Sequence, residues 1–228
     1  MASDVVEQLV LGLGTSVISG SAVWLGQRLT VSRRLRPRRR FLGLGRVYPR
    51  AHINVGRKYG STNAIHINDV AAALEVSALL RAAGGDVADI VPAAASGRGG
   101  PDGVEFCLSG PDSNVRTGAH VRRHLPDLEV GRQNLYLVNG HTYEWEPGVA
   151  EYVVLARVCR TDRPHLFVIC GQTSMSNLAG AAYLTRHQPT LWRRFGERES
   201  FGLVLKVVDT EIYGHREAEE VGMVPVIP

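Results

Sequence analysis

A short apolar stretch, a polar loop with glycine or aspartate, and a helical segment recur three times along this chain. No other feature limits its possible folds so strongly. The first occurrence runs from 64–67 (AIHI) through Asn68-Asp69 into 70–83, where Leu74, Leu79 and Leu80 mark an apolar side and Gly84-Gly85 a stop. A strand is expected to follow over 86–92. The second joins 103–109 (GVEFCLS) through a turn at 110–114 to a helix over 115–124. The third joins 164–170 (PHLFVIC) through 171–177 (GQTSMSN) to a helix over 178–187, with another helical turn at 191–195. Around these lie a hairpin over 134–143 turning at Asn139-Gly140, and strands over 151–157 and 201–208. Strands alternating with helices predict an α/β, Rossmann-like layered fold with a mostly parallel sheet, preceded by an N-terminal helix.

Right-handed crossovers bring all three strand-to-helix loops to one carboxyl edge of such a sheet, where ligands bind. Two of the loops share a spelling: Ser109-Gly110-Pro111-Asp112-Ser113-Asn114, and Gly171-Gln172-Thr173-Ser174-Met175-Ser176-Asn177. Each passes through glycine to Ser-Asn at a helix start, leaving backbone N–H groups beside the positive end of a helix dipole, a composition suited to phosphate. The plainer role for Asn114 and Asn177 is to cap their helices. The ligand-binding candidates are therefore Asn68, Asp69, Ser109, Gly110, Asp112, Ser113, Asn114, Gly171, Thr173, Ser174, Ser176 and Asn177, with Asp69 placed to contact a ribose hydroxyl. Neither the dinucleotide glycine fingerprint nor the P-loop motif occurs, and no G-x-S-x-G elbow is present.

A hydrolytic function requires a carboxylate, and Glu144, Glu146 and Glu151, with Trp145 among them, form the densest acidic and aromatic cluster. An aromatic ring stacks on a base while a carboxylate serves the glycosidic bond; the plainer reading is a solvated acidic loop. Eight histidines and three cysteines show no metal-ligand spacing, although His120 and His124 stand four apart on one helix, and no metal is expected. Cys107, Cys159 and Cys170, odd in number and set in apolar stretches, read as reduced core thiols.

Upstream, residues 9–26 hold eighteen residues without a charge, followed by nine arginines and no acid over 28–50. A helix of that length rises about 27 Å, close to the thickness of a hydrocarbon core, and the arginines would hold its far end in the cytoplasm. Four glycines, three serines and a threonine make the stretch only modestly apolar, so a soluble helix packing Ser16 and Gly20 against sister chains is the competing expectation. Beyond residue 50 the chain carries 17 basic residues of its 26 and 20 acidic residues of its 22. The basic charge thus belongs to the linker, which points to anionic lipid and away from specific nucleic-acid binding by the fold. The expected domains are an N-terminal transmembrane or oligomerisation helix (1–27), an Arg-rich juxtamembrane linker (28–58) and a Rossmann-like ligand-binding domain (59–228).

Taken with the N-terminal anchor, the motifs Cys107-Leu108-Ser109-Gly110-Pro111-Asp112-Ser113-Asn114 and Ile169-Cys170-Gly171-Gln172-Thr173-Ser174 resemble the SLOG and nucleoside-deoxyribosyltransferase-like group over residues 60–208. Its Gly-Gly-x-Gly-[ST] loop is approximated at 171–174, and its catalytic glutamate has no certain counterpart. The resemblance implies binding of a nucleotide or an NAD-derived ligand, and a place in bacterial stress or anti-phage systems. Three functions are expected to compete. The first is a homo-oligomeric sensor or effector on the cytoplasmic side of the bacterial inner membrane. The second is a nucleoside or NAD N-glycosidase, and the third a non-enzymatic, self-assembling structural protein.

Overall fold

Residues 166–171 (LFVICG) have no polar face, and a strand of that kind has to be covered on both sides. The computed structural model describes residues 35–45, 50–58, 60–61, 64–92, 103–131, 135–161 and 163–228. Of two compact units, Met1–Pro37 and Arg38–Pro228, the second holds the sheet. The uncharged N-terminal stretch lies outside the described residues, among which no helix is long and apolar enough to cross a membrane.

The elements follow as β1 (Arg50–Val55), α1 (Ile67–Ala82), β2 (Asp86–Pro92), β3 (Val104–Leu108), α2 (Val115–His124), β4 (Leu128–Val130), β5 (Tyr136–Val138), β6 (His141–Tyr143), β7 (Ala150–Val158), β8 (Leu166–Gly171), α3 (Ser174–Phe195), β9 (Phe201–Val208), α4 (Thr210–Tyr213) and β10 (Ala218–Met223). Seven strands form one sheet in the order β10-β9-β7-β8-β3-β1-β2, and β4-β5-β6 form a small second sheet. Neighbours from β2 through β1 and β3 to β8 are parallel, whereas β7 runs antiparallel to both β8 and β9, and β10 to β9. Five of the seven strands therefore share one direction, and the Rossmann-like α/β layering expected from the sequence is present.

Alternation sorts each central strand between two cores. Phe167 and Ile169 of β8 and Val153 and Leu155 of β7 face a layer with α1 and α3. Leu166, Val168 and Cys170, with Val154 and Ala156, face α2 and the small sheet. Arg157 ends the first of these faces fully buried. Its guanidinium lies 4.4 Å from the Phe41 ring centroid and 5.1 Å from that of Phe201. It donates to the carbonyls of Phe41, Gly196 and Glu199, tying three segments together.

The structure corrects the sequence reading at several points. The strand of the first unit is β1, not 64–67: residues 64–66 are coil and Ile67 opens α1. Since β1 lies within the stretch read as linker, the fold begins earlier than residue 59. On α1 the buried side is built from Ala72, Ala73, Val76, Leu79 and Leu80, while Leu74 is 60% exposed. Helix α3 takes in most of the loop read over 171–177 and continues through Pro189 to Phe195, because Leu184, Gln188, Leu191 and Phe195 are buried along it. Packing outweighs the loss of one helical hydrogen bond at proline. The tail contributes β10, whose charged, half-exposed sequence AEEVGM has the character of an edge strand.

Candidate functional site at the carboxyl edge

The parallel strands β1, β3 and β8 end side by side, and the turns leaving them bound a cavity of about 290 Å³. Of the residues singled out in the sequence, Asp69, Ser109, Gly110, Asp112, Ser113, Gly171, Thr173, Ser174 and Asn177 line it. Asn68, Asn114 and Ser176 stand behind the wall as braces. Sequence reasoning missed Arg57, Lys58, His66, Tyr136 and Gln172. Lys58 is one of only two lysines in the chain, and together with Arg57 it directly follows β1. Recognising β1 as the strand of the first unit would have placed both cations at this edge.

Close packing fixes the turns. The Gly56 N–H donates to the Leu108 carbonyl and to Ser109 Oγ, both at 3.2 Å, and Arg57 N–H donates to Ser113 O at 2.9 Å. A Cβ on Gly56 would stand 2.4 Å from the Ser109 Cβ, so this approach is open to glycine alone. Ser109 itself has φ 84°, a left-handed conformation uncommon for a serine and costly enough that its surroundings have to enforce it. A Cβ on Gly171 would lie 2.6 Å from Ser176 Oγ and 2.7 Å from the Asn177 amide, so β8 too runs into its helix without room for a side chain.

The helix starts are largely self-satisfied. Asn114 Oδ1 accepts from the amides of Arg116 and Thr117, and its Nδ2 donates to the carbonyls of Asn54 and Leu108. Thr173 Oγ1 accepts from the amides of Met175 and Ser176 and donates to the Glu151 carboxylate. Ser176 Oγ accepts from the Thr173 amide, completing a capping box. The expectation that these amides point out at a ligand is thus corrected: side-chain oxygens of the loops take them first. What the cavity offers an anion is the cations of Arg57 and Lys58 and the dipoles of capped helices.

Asn177 does not cap α3. Its Oδ1 accepts from the Gly171 amide at 2.7 Å, and its Nδ2 donates to Asp69 at 2.8 Å, joining the end of β8 to α1. A second tie runs from Asn68 Nδ2 to Ser174 Oγ at 3.4 Å. Burial raises the Asp69 carboxyl above its ordinary value, and the Asn177 and Ser109 side chains partly oppose this by favouring the charged form. His66 Nδ1 accepts from the Asn68 amide, so the neutral ring carries its proton on Nε2. Cations and acids thus share the wall with the side chains of Ser109, Ser113, Thr173 and Ser174.

Of the three glutamates, one reaches the cavity wall. Glu151 is buried at the start of β7 and reaches the cavity wall through Thr173. Glu144 and Glu146 are exposed beyond β6 and do not line the cavity. Among the described residues, one group has metal-ligand character: Glu105, Cys107 and His120, whose ligand atoms lie within 4.8 Å of one another. The Arg116 guanidinium already holds Glu105 at 2.6 and 2.5 Å, placing a cation where a metal would sit. Burial alone would raise the Glu105 carboxyl, but the hydrogen bond and charge of His120, together with Arg116, overcome it and bring it to about 2. This cluster is an ion-pair anchor under α2.

No family model, no curated protein and no solved structure matches the chain.

Proposed function

We propose that this chain binds a nucleotide or nucleotide-derived signal at the carboxyl edge, and that it works as a sensor or effector module. The observation that carries the reading is the convergence of three strand-to-helix turns on one cavity whose lining includes Arg57, Lys58 and Asp69. Two cations suit phosphate oxygens, and a buried carboxylate suits a ribose hydroxyl. In the same proposal, the uncharged N-terminal stretch tethers the module to the cytoplasmic face of a bacterial membrane, the arginines meet anionic lipid, and ligand binding shifts a homo-oligomeric state. The likeness of its turns to the SLOG group supports a role in stress or anti-phage responses. The test is a thermal-shift series with nucleotides, NAD and cyclic nucleotides on wild type and Lys58→Gln. Lys58 is exposed, so the variant should keep its unliganded melting temperature and lose the ligand-induced rise. An equal rise in both proteins would remove the reading.

A second reading, an N-glycosidase acting on NAD or nucleotides, is favoured by Asp69: a carboxyl raised by burial and held by Asn177 at a cavity wall has the character of a catalytic acid or base. Release of free base from NAD or a nucleoside monophosphate, abolished in Asp69→Asn, would establish it. Turnover that survives Asp69→Asn would shift attention to Glu151.

A further inference from the structure

At the end of α2 remote from its Asn114 cap, a second concavity of about 270 Å³ is lined by Arg123, His124, Arg160, Thr161, Arg163 and Pro228. Its cations come from two segments, the last turn of α2 and the connection from β7 to β8. Among the described residues none of the three guanidinium groups has an ion-pair partner. Arg160 Nε donates to the Pro164 carbonyl at 2.9 Å, while its Nη2 is buried with no hydrogen-bond partner. A buried charged donor without a partner costs free energy that folded proteins ordinarily avoid, and an ion is one of the few things that repays it.

The neighbours sharpen the point. Burial lowers the Arg160 guanidinium, Arg163 and Arg123 add to this by repulsion, and Glu105 offsets part of it. Complementing the helix dipole would account for Arg122 and Arg123 in the last turn of α2, but not for Arg160 and Arg163, which lie on another segment. His124 anchors the floor: its Nδ1 donates to the Ile227 carbonyl at 2.7 Å, and the Ile227 amide returns a bond to His124 O at 2.9 Å.

We propose that this cleft is a binding site for a phosphomonoester group, separate from the cavity at the carboxyl edge. Three arginines surpass the single charge of a carboxylate, whereas a phosphomonoester carries close to two negative charges at neutral pH and three acceptor oxygens for guanidinium forks. The group belongs either to a soluble phosphorylated compound or to a lipid headgroup such as that of phosphatidic acid.

Calorimetric titration of the full chain with inorganic phosphate tests the site. The double variant Arg123→Gln/Arg163→Gln changes two exposed side chains and should bind phosphate about tenfold or more weakly, the loss expected of charge-assisted hydrogen bonds. Lys58→Gln, at the other edge, should leave this component intact, so failure here and failure of the nucleotide reading are distinguishable. Phosphate should also raise the melting temperature of wild type and not that of Arg160→Gln. Flotation with phosphatidylcholine vesicles, with and without phosphatidic acid, separates the sources. Phosphatidic-acid-dependent flotation lost in the double variant assigns the headgroup. Equal flotation alongside a variant-sensitive phosphate titration assigns a soluble compound. Phosphate binding that is absent from wild type, or unchanged in the double variant, overturns the proposal.

Discussion

The turns after β3 and β8 are spelled alike, yet the same Ser-Asn pair does different work in each. After β3, six residues separate strand from helix, and Asn114 stands at the N-cap, where its Oδ1 caps its own helix and its Nδ2 holds the carbonyls of Leu108 on β3 and Asn54 on β1. After β8, two residues suffice. Thr173 takes the cap, and Asn177 is carried a full turn into α3, where it bridges Gly171 to Asp69 on α1. One asparagine caps its helix and ties it to the ends of β3 and β1; the other stands inside its helix and joins the end of β8 to α1. Turn length, rather than the letters of the motif, fixes which role an asparagine takes. The turn after β3 should therefore be the stability-critical one, and the turn after β8 the one that adjusts to a ligand.

The most damaging test of that contrast is Asn114→Ala. Asn114 is fully buried with four hydrogen bonds, so its loss removes a cap and two buried bonds to backbone carbonyls. A cost of about 4 kcal/mol is expected, read as a lowered urea midpoint at constant slope. A fall no larger than that of a surface substitution would erase the distinction. Next in size is the acid limb of stability. Glu105, held by Arg116 and His120 of α2, has a folded value of about 2 against an ordinary 4.5. Its contribution is present above 4.5 and is lost as pH falls from there toward about 2. That window corresponds to about 3 kcal/mol, which Glu105→Gln should remove from the pH profile of the urea midpoint. A profile as steep in the variant as in wild type would mean that Glu105 does not secure α2.

Much of this was legible in the sequence because it rests on local periodicity. The strands β7, β8 and β9, helices α1 and α2, and the Asn139-Gly140 hairpin all appear where apolar alternation and turn residues put them. So does the meeting of Asp69, Asp112 and Ser174 at one cavity, since crossover handedness fixes it once the strands are known. What escaped depends on contacts distant in the chain. Residues 41–58 read as one or two short strands or an extended connector, but that β1 is the strand of the first unit depends on its pairing with β2 and β3, and with that assignment went Arg57 and Lys58. The passage of α3 through Pro189 is decided by burial of Leu191 and Phe195. Glu144 and Glu146 are dense in sequence yet lie exposed between β6 and β7, outside the lining of the cavity.

Smaller effects bear on the bridge after β8. Asn177→Ala should cost about 2 kcal/mol, since the Gly171 amide and Asp69 both lose a buried partner. Asp69, raised in the folded state, contributes fully below its ordinary 3.8 and loses that contribution as pH climbs through the range just above it. With Asn177 gone, the charged form of Asp69 has less support. The decline above 3.8 should then steepen in Asn177→Ala and vanish in Asp69→Asn, and an unchanged profile in both would show that the bridge does not govern this carboxyl.

The least disruptive test concerns the cap that frees Asn177 for its bridge. Thr173→Ala removes the acceptor for two amides and the donor to Glu151, yet the Ser176 side of the capping box persists, so a loss of about 1 kcal/mol is expected. Thr173→Ser keeps the hydroxyl and should restore most of it. If serine fails to rescue, the methyl group's packing and not the cap sets the cost, and the hydroxyl would not be what holds α3 in register. If serine rescues stability but weakens binding of the ligand that protects the carboxyl-edge cavity in thermal shift, Thr173 acts on the cavity through its shape as well as through its cap. Equal stability and equal binding in serine and threonine would confine Thr173 to capping, leaving ligand adjustment at this turn to Ser174 and Asn177.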